Sequence, residues 1–153
     1  MNYVKFLSST LAVLWVLLGM SFNVAAQEKG VLIVNNSVEI TAISKKNLRK
    51  IYSGKSFVWD NKLMIKPCML AFANDVTERF LKKVLKTSER KYQKVWLRKV
   101  YSGSSPAPPV LKTPEEVIKY VSGNDGGIGI VPQSAAGELE NCRIINIDAL
   151  ETF

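Results

Sequence analysis

Val31-Leu32-Ile33-Val34 places four apolar residues in a row, three of them β-branched, and Asn35-Asn36-Ser37 ends the run. A segment this short and this apolar reads as a strand buried in a sheet. Val38–Ile43 continues extended. Ser44 is placed to cap a helix whose apolar positions, Leu48, Ile51 and Tyr52, are spaced three and four apart, and Gly54 stops it. Lys55–Lys62 is a loop carrying Phe57 and Trp59. Leu63–Phe72 is a second strand, which Pro67 makes an edge or bulged one. Val76, Phe80, Leu81, Val84 and Leu85 form one stripe of a helix running to about Lys86. Ser88 caps the next helix, with Tyr92, Val95, Trp96 and Val100 inward. Gly103–Pro109 is a Gly/Ser/Pro loop. Thr113-Pro114-Glu115-Glu116 is a capping box with proline at the first helical position; its helix buries Val117, Ile118 and Val121 and ends at Gly123. Gly127–Val131 and Arg143–Ile147 close the chain as strands. Strands alternating with helices predict an α/β fold in which a mostly parallel sheet is flanked by helices.

The N-terminus has a different character. Lys5 precedes an apolar run, Leu11–Met20, that is short for a bilayer span, and Val24-Ala25-Ala26 is a small-residue cleavage site. The pattern is that of a secretory signal peptide over residues 1–26, cut before Gln27; an uncleaved anchor is the alternative. No cysteine sits at the cut, so a lipid-anchored form is not suggested. Cleavage leaves 127 residues, enough for one domain with its own core. The leader holds one of the 21 basic residues and none of the 13 acidic ones, so the remainder carries +7. An exported basic protein attracts anionic solutes, phosphate-bearing lipids or an acidic partner; nucleic acid is a poor fit to an exported chain. Cys68 and Cys142 would both enter an oxidising compartment, where a pair usually bonds. Their loop of about 75 residues would be worth about 4 kcal/mol in chain entropy. Two buried thiols are the other reading.

The chain contains no histidine, which removes the usual general base, the Ser–His and Cys–His pairs and most zinc sites. Ser88-Glu89-Arg90-Lys91 has the spacing of a Ser-x-x-Lys motif, but its companions are out of order and Pro114 stands where a glycine is needed. Asn124-Asp125-Gly126-Gly127 reads as a turn needing positive φ. No acid pair reads as an acid/base site, so the expectation is a non-enzymatic protein with no metal and no cofactor.

Six stretches in order resemble the phosphate-transport substrate-binding proteins and their short relatives. They are Val31–Asn35; Ile43-Ser44 with Leu48-Arg49-Lys50-Ile51-Tyr52-Ser53-Gly54-Lys55; Trp59; Thr77-Glu78-Arg79-Phe80; Trp96 with Tyr101-Ser102-Gly103; and Glu116–Val121 leading into Gly127-Ile128-Gly129-Ile130-Val131. The resemblance spans about residues 30–148. It implies a type-II periplasmic-binding-protein fold and binding of phosphate or another oxyanion for an ABC importer. It also implies a periplasmic location, with no membrane span once the signal is removed. About 127 residues match one lobe of the two that full-length members close around their ligand, and those members' N-terminal Gly/Ser-rich phosphate loop has no counterpart after residue 27.

Full-length members place a Ser-Gly-Thr type turn where this chain has Asn74-Asp75-Val76-Thr77. The expected ligand contacts are therefore Asn74, Asp75, Val76, Thr77 and Arg79, with Ser37, Lys55 and Trp59 as loop contacts. Asp75 at the N-cap and Glu78 three residues on would form a capping box. Two carboxylates there would satisfy the helix end and repel an anion by an amount on the order of a few kcal/mol per close pair. The alternative to a solute binder is a periplasmic interaction or membrane-sensor accessory module that has lost its ligand.

Overall fold

The computed structural model describes residues 27–153; the signal peptide expected over 1–26 lies outside them. The chain runs β1 (Gly30–Asn35), β2 (Ala42–Ile43), α1 (Lys45–Tyr52), β3 (Lys66–Pro67), β4 (Met69–Leu70) and α2 (Asp75–Arg79). Helix α2 continues as a π-helix over Phe80–Leu85. Then come α3 (Glu89–Tyr101), β5 (Val110–Leu111), α4 (Pro114–Ser122), β6 (Gly127–Pro132), a 3-10 turn (Gln133–Ala135) and β7 (Cys142–Ile147).

The sheet is mixed rather than mostly parallel. Its order is β2-β7-β1-β6-β3; β1 is antiparallel to both neighbours, and only the flanking pairs β2/β7 and β3/β6 are parallel. All six residues of β1 and all six of β6 are buried. An apolar run reports that both faces of a strand are covered, and burial of that kind does not depend on the direction of the neighbours. The predicted strand over Leu63–Phe72 is two short ones. β3 ends at Pro67 on the edge of the main sheet, where its missing N–H costs no ladder bond. β4 pairs in parallel with β5 in a separate two-stranded sheet.

Local signals placed the helices well. The Ser44 hydroxyl accepts from the Asn47 N–H (3.2 Å), Ser88 from Lys91 (3.4 Å) and Thr113 from Glu116 (3.3 Å). Ser88 of the Ser-x-x-Lys spacing is thus a helix cap. Leu48, Ile51, Tyr52, Phe80, Val84, Val117 and Val121 join β1 and β6 in one core. Gly129 lets α4 approach the sheet, since a Cβ there would lie 2.8 Å from both Cys68 Sγ and Val117 Cγ1. On α3 only Tyr92 and Trp96 are buried, while Val95 and Val100, expected inward, are exposed.

Both cysteines are free and buried, so the expected disulfide does not form. Cys68 directly follows β3 and donates its N–H to Ile128 O, and Cys142 opens β7. Three strand spacings, about 14 Å, separate them, well beyond the Cα reach of a disulfide. Burial pushes the Cys68 thiol up to about 12.

Candidate functional site

The chain leaves β4 at Leu70 and turns through Ala71–Asn74 into α2. The Ala71 N–H donates to Leu111 O and the Asn74 N–H to Ala71 O, so the turn is held from both sides. The N-cap is Asn74, one residue earlier than expected: its Oδ1 accepts from the Val76 N–H at 2.9 Å. Asp75 is then the first helical residue and is exposed. Glu78 falls one position too far along for a capping box and pairs instead with Lys82, one turn on. That bond holds the Glu78 carboxyl below its usual range, with the Lys82 charge as the second cause. The helix end is closed by a neutral amide, not by two carboxylates.

Four first-turn N–H groups of a helix have no partner inside it. Here the N–H of the cap residue Asn74 is satisfied by Ala71 O and that of Val76 by Asn74 Oδ1. The N–H groups of Asp75 and Thr77 have no protein acceptor among the described residues. The Thr77 hydroxyl is not beside them. It is fully buried and donates to Leu70 O at 3.1 Å, tying α2 back onto β4. Arg79 is also buried. Its Nη2 donates to the Glu28 carbonyl, and its Nε has no partner among the described residues. Glu28 in turn accepts from the Ser134 hydroxyl. The corner is thus built where the segment before β1, the end of β6 and the start of α2 converge. A Cβ on Gly30 would strike Val76 and Phe153, which shows how closely these pieces pack.

The loop residues proposed alongside this corner lie elsewhere. Ser37 follows the far end of β1, about 17 Å along the strand from Gly30. Its Oγ accepts from the Gly126 N–H and Trp59 Nε1 donates to Gly126 O, both at 3.0 Å. Gly126 has φ +78°, and a Cβ there would sit 2.0 Å from Met64 O. Asn35, fully buried, donates to Val121 O (2.9 Å) and Ser122 O (3.0 Å), and its Oδ1 accepts from the Ser37 N–H. Asn35 and Gly126 were read from the sequence only as turn residues. An amide closing a solid apolar strand is the signal that could have shown Asn35 to be a structural bracket. Lys55 sits beside a third feature, a cavity of ≈ 240 Å³ lined by Arg49, Tyr52, Ser53, Lys55 and Thr87, with no acid among its lining residues.

A groove of ≈ 550 Å³ runs beside the corner past Phe72, Ala73, Glu78, Lys82, Glu89 and Arg90. Its two carboxylates and two cations offset one another, so it does not select an anion. Among the described residues no cluster of three or more His, Cys, Asp or Glu could hold a metal, and no helix is long and apolar enough to cross a membrane.

No family model matches the sequence, and no curated protein matches it. Solved structures do match the fold. An ABC-type phosphate transport receptor from Vibrio cholerae superposes with a TM-score of 0.61 at 13% identity, over 80% of this chain and 47% of that one. PstS from Borrelia burgdorferi gives 0.62 at 16% identity, over 80% and 48%. The chain has the fold of phosphate-transport substrate-binding proteins. A third match, described as a phosphate ABC transporter substrate-binding protein with bound phosphate from Clostridium perfringens, gives 0.63 at 13% identity, over 81% and 46%. The chain spans about half the length of these structures.

Proposed function

We propose that this chain is a non-enzymatic, periplasmic, solute-binding-type protein, exported by a signal peptide cut before Gln27. Its domain over residues 27–153 corresponds to one lobe of a type-II periplasmic-binding protein. The corner at Asn74–Thr77 takes phosphate or another oxyanion, for delivery to an ABC importer. The observation that carries this reading is the pair of N–H groups of Asp75 and Thr77, which have no protein acceptor among the described residues and stand at the positive end of α2. Pairing with Lys82 offsets one of the two expected repulsive charges near that end. Arg79, buried on the same helix, adds a positive charge while its Nη2 donates to the Glu28 carbonyl.

The inward hydroxyl of Thr77 favours a second reading, an interaction or sensor-accessory module that keeps the fold without a ligand. Calorimetry with phosphate, sulfate and molybdate separates the two. Oxyanion binding that tightens several-fold in Asp75→Asn, where one nearby charge is removed, supports the corner. Absence of heat at high ligand concentration supports the second reading. Binding abolished by Lys55→Gln but indifferent to Asp75→Asn moves the anion to the Arg49–Lys55 cavity and overturns the corner.

A further inference from the structure

Helix α3 carries more exposed apolar surface than a solvated helix needs. Leu97 is 57% exposed, Val100 49% and Tyr101 84%, and Val110 of β5, 47% exposed, shares a shallow groove of ≈ 230 Å³ with Leu97 and Val100. Leu97 and Tyr101 are one helical turn apart and share a face. Beside that row run Lys94 and Arg98, also one turn apart, with Lys91 a turn before them; all three are exposed and none has an ion-pair partner among the described residues. The only acid of α3 is Glu89 in its first turn, and Tyr101–Lys112 contains none.

We propose that this face of α3, with Val110, docks on an anionic phospholipid surface. A soluble oxyanion needs donors that converge, whereas a cationic row on a convex helix meets many anions spread over a plane. A second copy of the chain brings the same positive charge, +8 over the whole sequence, against it. The groove is too small to seat a partner helix. A helix lying in the interface suits both rows: the Leu97/Tyr101 side dips toward the acyl boundary, and the long Lys and Arg stems reach the headgroups. The protein would then be held near the membrane by charges that the oxyanion corner does not use.

Vesicle sedimentation of the full chain tests this, comparing phosphatidylglycerol/phosphatidylcholine vesicles with pure phosphatidylcholine. The apolar N-terminal run is common to every variant and cancels in the comparison. The wild type is expected to favour the anionic vesicles, and Lys91→Gln/Lys94→Gln/Arg98→Gln to lose about a hundredfold of that preference. Leu97→Ser/Tyr101→Ser is expected to weaken binding about tenfold or more, with circular dichroism showing the helices intact in both variants. Equal partition of the wild type on the two vesicle types, or a triple variant that binds as well as the wild type, overturns the proposal. So does retention on immobilised polyglutamate with no vesicle preference, which assigns the face to an acidic protein.

Discussion

The two ends of β1 handle polar groups in opposite ways. At the Asn35 end every named group is consumed internally: Asn35 holds α4, Ser37 and Trp59 grip the two sides of Gly126, and Asn61 Nδ2 donates to Ser37 O. At the Gly30 end the turn into α2 is as well packed, yet two helix N–H groups and one guanidinium nitrogen have no partner among the described residues. Residues that carried the resemblance at the first end, Asn35 and Trp59, work as brackets. Those at the second leave donors over. A closed end resists change because each loss breaks several bonds at once; an open end tolerates change and can answer to a ligand.

That contrast sets an order of effects. Gly126→Ala is expected to be the most damaging change, about 3–5 kcal/mol by urea unfolding, since it combines a left-handed backbone with a Cβ driven into Met64 O. A loss under 1 kcal/mol would show that the turn is not rigid. Asn35→Ala removes a donor from the Val121 and Ser122 carbonyls, the latter keeping Asn141 Nδ2, and takes away the acceptor of the Ser37 N–H; it is expected to cost about 2–3 kcal/mol by the same measurement. Asn74→Ala, at the open end, removes only a cap and is expected to cost about 1 kcal/mol. A loss as large as that of Asn35→Ala would erase the distinction between the two ends. The smallest effect belongs to Glu78. Its carboxyl is held low when folded, so its contribution is complete above the unfolded carboxylate pKa and disappears as pH falls through the lower folded value. Glu78→Gln should therefore lower thermal stability slightly at neutral pH, leave it unchanged below the folded pKa, and so flatten the acid limb of the profile. A loss at neutral pH as large as that of Asn74→Ala, or a loss that persists at acid pH, would show that Glu78 does more than pair with Lys82.

The helices were legible because their signals are local. Ser44, Ser88 and Thr113 each stand directly before an apolar period, and each is a cap. Asn74 and Asp75 are both cap formers in tandem, and the choice between them was not local: Lys82 draws Glu78 off, so the box that would have favoured Asp75 has no second member. Strand direction was hidden because β1 is covered on both faces whichever way β6 and β7 run. Pairing of the cysteines depended on strand order, which spacing along the chain does not encode. Val95 and Val100 lie at helical spacing from the core of α3 but off its buried edge, so periodicity alone placed them inward. At the candidate site, the residues of the corner could be read from position. What could not be read was that Thr77 turns its hydroxyl away and that Ser37 and Trp59 belong to the other end.

The claim that the Gly30 end is the responsive one is tested most directly by following backbone amide resonances during a phosphate titration. The account predicts shifts concentrated at Asp75 and Thr77, with Ser37 and Gly126 unmoved. Shifts confined to Arg49 and Lys55, or no shift at Asp75 and Thr77 at saturating phosphate, would contradict it.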